Sequence, residues 1–218
     1  MRRPIGRVRS LLMVAPHPDD ETIGAHALMK RLRRRGVTVR VLVVSDGRAS
    51  HPASIRWPRA RLVHERRRET LRAMRRIGIA AADVAFLSLP DGALAAYAPA
   101  ARRGVARMTG KVPKPALILG PSPRDDHPDH RVVAAAVAAA RGPGLRRLAY
   151  PVWPAGRALA GARPMPLTTQ ERLAKTRAIR SYRTQAGRIT DDPDGFAMTR
   201  QQIAAFSRPQ EWFADIGR

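Results

Sequence analysis

Short apolar runs and amphipathic stretches alternate along most of the chain, and the hydrophobic period changes with them. Ser10 to Ala15 is a short, mostly apolar run cut off by Pro16, the form of a buried strand. Thr22 to Arg35 offers Ile23, Ala27, Met29 and Leu32 as an approximate apolar face and closes at Gly36, which predicts a helix. Val37 to Val44 is rich in β-branched residues and ends at Ser45-Asp46-Gly47, a strand followed by a turn. The same alternation continues downstream. Arg59 to Ile77 reads as a long basic helix stopped by Gly78, and Val84 to Leu89 as a third strand ending at Pro90-Asp91-Gly92. Ala100 to Met108 reads as helix, Ala116 to Leu119 as a fourth strand, and Asp129 to Ala140 as an Ala-rich helix halted by Gly142-Pro143. Leu145 to Val152 gives a fifth strand, Pro154 to Pro166 a loop, and Thr168 to Tyr182 an amphipathic helix. From Gly187 onward no period dominates.

Strands alternating with helices imply an α/β fold: a Rossmann-like, doubly wound, mostly parallel sheet with helices on both faces. No internal repeat or linker interrupts the pattern, so residues 1–218 are expected to form one domain, with a core of about 10–185 and an extension over 186–218. Such sheets bind ligands outside the carboxyl ends of their strands, where strand order reverses. Neither G-x-G-x-x-G nor a Walker P-loop follows the first strand, which argues against a dinucleotide or nucleotide triphosphate.

Composition narrows the chemistry. The chain has no Cys, which excludes disulfides, thiolate metal sites, iron–sulfur clusters and a Cys nucleophile. Its formal charge is +24, and all of its 41 basic residues except Lys30, Lys111, Lys114 and Lys175 are Arg. Such a surplus can attract nucleic acid or anionic groups. The arginines are nevertheless spread along the chain, and the dense runs Arg31 to Arg35 and Arg59 to Arg68 fall in predicted helices, where a solvated face is the usual outcome. The apolar stretch Leu11 to Ala15 is too short for an export signal. Val132 to Ala140 is likewise far short of the ~20 residues of a membrane span, so the cytoplasm is the expected location.

Two short loops concentrate the reactive side chains. Ala15-Pro16-His17-Pro18-Asp19-Asp20-Glu21 follows strand one, and Asp125-Asp126-His127-Pro128-Asp129-His130 follows strand four. Together they hold three of the six His and five of the 12 Asp. In a sheet whose order reverses between strands one and four, the two loops face each other. Acids at 19–21 and 129 would also cap helices, but two His-Pro-Asp loops at strand ends exceed what capping requires. His and carboxylate ligands suit a divalent metal of the zinc kind, and three of them with an open fourth position make a hydrolytic centre.

These residues resemble a known family. His17-Pro18-Asp19-Asp20-Glu21 and His127-Pro128-Asp129-His130 are similar to the two signatures of the LmbE/PIG-L zinc-dependent N-deacetylases. Ser45-Asp46-Gly47, Arg66-Arg67-Arg68-Glu69 with Gly78, Phe86 to Gly92, and Lys175 with Ala178, Tyr182 and Gln185 resemble its smaller markers in order. Good markers cover about residues 10–140, and a weaker match continues to about 185. The resemblance implies that His17, Asp20 and His130 bind Zn2+, with Fe2+ as the alternative. It makes Asp19 the general base toward a metal-bound water and a protonated His127 the oxyanion partner, oriented by Asp129. It places Arg66 and Asp91 at the substrate sugar. Some members carry an oxyanion-assisting Tyr where this chain has Asp125, so that role is either vacant here or filled from elsewhere. His26, His51 and His64 lie outside both signatures and read as surface or packing residues.

The function implied is removal of an N-acetyl group from an N-acetylglucosaminyl-type conjugate. The arginine excess, with Arg48, Arg66 and Arg124 near strand ends, suggests an anionic aglycone. One alternative is a zinc amidohydrolase acting on a larger amide conjugate. Another is an Arg-rich nucleic-acid or anionic-surface binder with a structural or vestigial metal site. No zinc finger or aromatic RNA-binding motif supports that last reading, and aromatics make up only 5% of the chain.

Overall fold

A computed structural model of the chain describes residues 7–217. The apolar run becomes β1 (Ser10–Ala15), buried along its whole length, followed by α1 (Asp20–Arg34) and β2 (Thr38–Ser45). Next come α2 (Arg59–Arg76), β3 (Val84–Leu89), α3 (Ala98–Gly110), β4 (Ala116–Pro121), α4 (Pro128–Ala139) and β5 (Leu145–Tyr150). β6 (Arg163–Pro166), α5 (Thr169–Arg180), α6 (Arg200–Phe206) and β7 (Gln210–Asp215) complete the order. The strands form a seven-stranded sheet in the order β3-β2-β1-β4-β5-β7-β6. The first five are parallel, whereas β7 runs antiparallel to both β5 and β6.

Alternation within each strand explains the layers. Leu11, Met13 and Ala15 join a core with Ile23 and Met29 of α1, Met74 of α2 and Ile179 of α5. Leu12 and Val14 point the other way, into a core with Val105 of α3 and Val137 of α4. A strand buried on both faces must be apolar at consecutive positions, which is what the sequence shows. β1 pairs with β2 on one side and β4 on the other. Strand order therefore reverses at β1/β4, and the loops after these two strands open on the same crevice.

The region read as loop over Pro154 to Pro166 contains β6 at its end. The unpatterned tail supplies α6 and also β7, which inserts between β5 and β6. β6 carries two prolines in four residues, tolerable because it is an edge strand with a single hydrogen-bonded neighbour. Among the described residues, no helix is long and apolar enough to cross a membrane.

α1 is bent at Ala25 (φ −149°, ψ 27°). The bend frees amides in mid-helix, and Glu211 of β7 accepts from Ala27 N at 2.9 Å and Leu28 N at 3.0 Å. Lys175 Nζ donates to the same carboxylate at 3.0 Å. Gly24, just before the bend, lets the helix press on Tyr150. A Cβ there would lie 2.3 Å from the Tyr150 ring.

Candidate metal centre

The loop after β1 is held in a conformation that side chains rarely adopt. Asp19, which caps α1, has φ 123° and ψ −29°, costing of order 1–3 kcal/mol for a non-Gly residue. Its neighbours compensate. Asp19 N donates to Glu21 Oε2 at 3.1 Å, and Thr22 N and Ile23 N both donate to Asp19 O at 2.9 Å. Glu21 is fully buried, receives the Tyr182 hydroxyl, and is pushed up to about 7 by burial. On the other side Ser45 N donates to Pro16 O at 2.8 Å, tying the loop to the end of β2.

This geometry brings His17, Asp20 and His130 together. His17 Nδ1 lies 3.2 Å from Asp20 Oδ2 and 3.1 Å from His130 Nε2, and His130 Nε2 lies 3.2 Å from Asp20 Oδ2. A nearly equilateral triangle of that size is one face of a tetrahedron whose centre is roughly 2.0 Å from each donor, the distance at which zinc binds N and O. Two looser triplets, His17/His127/His130 and His17/Asp91/Asp129, offer one atom each within 4.8 Å. The first triangle is tighter and mixes donor types as a hydrolytic metal site does.

The electrostatics fit a cation. Against burial, which lowers it, Asp129, Asp20 and Asp91 raise His17 well above its ordinary value. Burial also opposes His130, yet Asp20 and Asp125 push it up to about 9. Asp20 is held well below the usual carboxylate range by His130 and His17, although burial works the other way. The carboxylates thus draw positive charge into the triangle, charge that a divalent ion would supply in place of protons. Asp19 behaves differently. Burial, then Asp20 and Glu21, raise its carboxyl well above the normal range, opposed by Arg66.

The carboxylates behind the histidines differ from the sequence expectation. Asp91 was placed at a substrate sugar. Its Oδ1 lies 3.0 Å from His17 Nε2, its Oδ2 accepts from Ala49 N at 3.0 Å, and it lines the cavity described below. Asp129 was expected to orient His127. Its carboxylate accepts from Gly92 N at 2.8 Å and Leu94 N at 3.0 Å and lies 3.4 Å from His17 Nε2, so it reaches His127 only through space. Both sets of contacts share one cause: the loop after β3 folds over the β1/β4 crevice and closes around His17. Asp125, which stands where some family members carry a Tyr, is tied into the site from behind His130. Its Oδ2 lies 3.2 Å from His130 Nδ1 and accepts from Trp153 N at 3.0 Å, while its Oδ1 accepts from His127 N at 3.0 Å. Metal-binding His residues are held by such carboxylates on their far nitrogen.

His127 also departs from expectation. Its Nδ1 accepts from Asp129 N at 3.2 Å, which places the proton of the neutral ring on Nε2. Burial, His17 and His130 all push its pKa down. Arg66 is buried rather than solvated. It donates to Gly47 O at 2.9 Å and Pro18 O at 2.8 Å, and its Nη2 lies 3.6 Å from Asp19 Oδ2. Gly47 (φ 71°) makes room, since a Cβ there would meet the guanidinium at 2.7 Å. A cavity of about 630 Å³ opens on the triangle. Its charged lining is Asp19, Asp20, Asp91 and Asp126 with Arg66 as the sole cation besides the histidines. Arg48 is paired with Asp46 at 2.8 Å, and neither it nor Arg124 lines the cavity. The lining therefore lends an anionic aglycone no support. His26 and His51 are buried away from the triangle.

The sequence profile of the GlcNAc-PI de-N-acetylase (PIG-L) family matches residues 12–141, a span that contains both loops and all three donors. The chain belongs to the PIG-L family. Among curated PIG-L relatives, it is 28% identical over 142 residues to diacetylchitobiose deacetylase of Thermococcus kodakarensis, covering 60% of this chain and 48% of that protein. It is 31% identical over 159 residues to 2'-N-acetylparomamine deacetylase of Streptomyces fradiae, covering 66% and 56%. The chain thus spans about half the length of the curated relatives it matches. The solved N,N'-diacetylchitobiose deacetylase from Pyrococcus horikoshii, complexed with its inhibitor, superposes with a TM-score of 0.66 at 20% identity over 84% of this chain and 72% of that one. That likeness shows the PIG-L fold is shared beyond the profile match.

Proposed function

We propose that this protein is a zinc-dependent N-deacetylase acting on N-acetylglucosaminyl-type conjugates. The observation that carries the reading is the triangle of His17 Nδ1, Asp20 Oδ2 and His130 Nε2, closed to 3.1–3.2 Å at the mouth of a cavity that Asp19 also lines. The names of the curated relatives, both deacetylases of N-acetylated amino sugars, support the substrate class.

His17, Asp20 and His130 would hold the ion, and a zinc ion so held supplies Lewis acidity and makes a water acidic near neutral pH. Asp19, adjacent to Asp20 but outside the triangle, takes the proton from the attacking water. Arg66 Nη2, 3.6 Å from Asp19 Oδ2, favours the carboxylate form that can accept this proton. His127 meets the developing charge on the acyl oxygen as a neutral Nε2–H donor, the tautomer that Asp129 N enforces. Asp19 then returns its proton to the leaving amine as the C–N bond breaks, giving acetate and a free amino sugar.

Metal analysis of the purified protein, with amine release from N-acetylglucosamine conjugates, tests this reading. About one divalent ion per chain is expected. Asp19→Asn should retain that ion and lose about 10²-fold or more in turnover, whereas His130→Ala should lose the ion. Full activity in Asp19→Asn overturns the assignment of the base, and a wild-type protein that binds no divalent ion overturns the metal.

A further inference from the structure

The cavity has a second wall that the proposed chemistry does not use. Ile23, Trp153, Pro154, Ala155, Phe196 and Met198 form it. The Trp153 indole is braced by two edge-on rings, Phe196 at 5.9 Å and 90° and Phe206 at 5.2 Å and 78° between centroids and planes. Its backbone N–H is fixed on Asp125, the carboxylate behind His130. Phe196 comes from the segment between α5 and α6, anchored by its N–H on Ser50 O at 2.7 Å. Phe196 is 39% exposed, and among the exposed large hydrophobic residues of the described part of the chain it alone lines this cavity.

Size and charge together say what this wall takes. An N-acetylated hexosamine has roughly fifteen non-hydrogen atoms, and at no more than about 30 Å³ each, the share of a liquid water, it needs less than about 450 Å³. The cavity is about 630 Å³. The acid released in the deacetylase reading is acetate, which has no aromatic or long apolar part to cover this wall, so the wall belongs to the amine side of the substrate. No uncommitted cation lines the cavity, and four Asp residues do. Two rings at right angles, one of them open to solvent, leave a ring face and a ring edge for a flat apolar group.

We infer that Trp153 and Phe196 form an aglycone subsite for an uncharged aromatic group carried by the amino sugar. The inference rests on the deacetylase reading, and its test separates the two. Calorimetric titration of the protein as purified, metal included, with phenyl and methyl glucosaminide, which carry no acetyl group to lose, measures the wall without turnover. Amine release from the corresponding N-acetylated glycosides measures the reaction. The phenyl glycoside should bind, and its N-acetyl form should be turned over in kcat/KM, about tenfold or more better than the methyl one. In Phe196→Ala, whose exposed position makes misfolding a lesser concern than in Trp153→Ala, that ratio should fall toward one.

Equal binding of the two glycosides overturns the subsite, as does a ratio unchanged in Phe196→Ala. So does a preference for a phosphorylated glycoside, or one that follows acyl length instead of the aglycone. Amine release without any phenyl preference removes the subsite and keeps the deacetylase reading. Phenyl-selective binding without amine release from either conjugate keeps the wall as an aryl site and removes the deacetylase reading.

Discussion

Asp125 shows how one side chain can link a reactive ring to a binding wall. Its carboxylate sits behind His130, accepts the amide of His127 and fixes the amide of Trp153. Loss of a carboxylate in this position costs ten- to a hundredfold in metal affinity in comparable sites. Asp125→Asn is therefore expected to weaken zinc by about that factor in a chelator-competition titration while the fold, followed by circular dichroism, persists. An unchanged affinity would mean that His130 needs no support from this side. The meeting of the two loops was legible because two His-Pro-Asp segments stood at strand ends. The carboxylates behind them were not. Asp91 and Asp129 are separated from His17 by more than 70 positions, and nothing local shows that the loop after β3 brings both onto its Nε2.

At the level of elements, α1 begins with Asp20, the proposed metal ligand, and is preceded by Asp19, the proposed base, so its placement matters most. The helix is bent, and the amides freed by the bend are capped from outside by Glu211, itself paired with buried Lys175. Removing one member leaves a buried charge without its partner, which costs about 3–5 kcal/mol. Glu211→Ala should lower stability by that amount in denaturant unfolding, and Lys175→Met combined with Glu211→Gln should cost less than the two single changes summed. Strict additivity would show that the pair is not coupled. The five parallel strands were readable because both faces are buried and their apolar runs are continuous. β6 and β7 were not. β6 is short and proline-rich, and the partner that makes β7 a strand lies across the fold. The capping boxes Thr168/Glu171 and Thr199/Gln202 mark helix starts, but the seven residues of α6 are too few for a period to emerge.

Across the whole molecule, an Arg-rich exterior surrounds a cavity whose charged lining is mainly acidic. Composition described the exterior and misdirected the reading of the interior. The dependence of global stability on acid reflects the interior too. His26 is buried with an unpartnered Nδ1. Burial, then Lys175 and Lys30, lower its pKa from 6.5 to about 4, with Glu171 opposing. The unfolded chain therefore binds a proton at this site between pH 6.5 and 4 when the folded chain does not. Stability contributed here is present above pH 6.5 and lost as pH falls through that window, by about 3 kcal/mol at most. His26→Gln should flatten the difference in unfolding free energy between pH 7 and pH 4 by an amount of that order, and an identical pH profile in the variant would remove His26 from the account.

His17 and His130 stand 113 positions apart in sequence and 3.1 Å apart in space. An extended or collapsed chain offers no comparable grip, since the two rings meet only after β1 and β4 have paired. Any ion captured between them therefore counts for the native state alone, and at a thousandfold excess over its dissociation constant it would add about 4 kcal/mol to the resistance against unfolding. Occupancy of the crevice then becomes a seam between the two halves of the sheet, tightening the protein at the place where its chemistry is done.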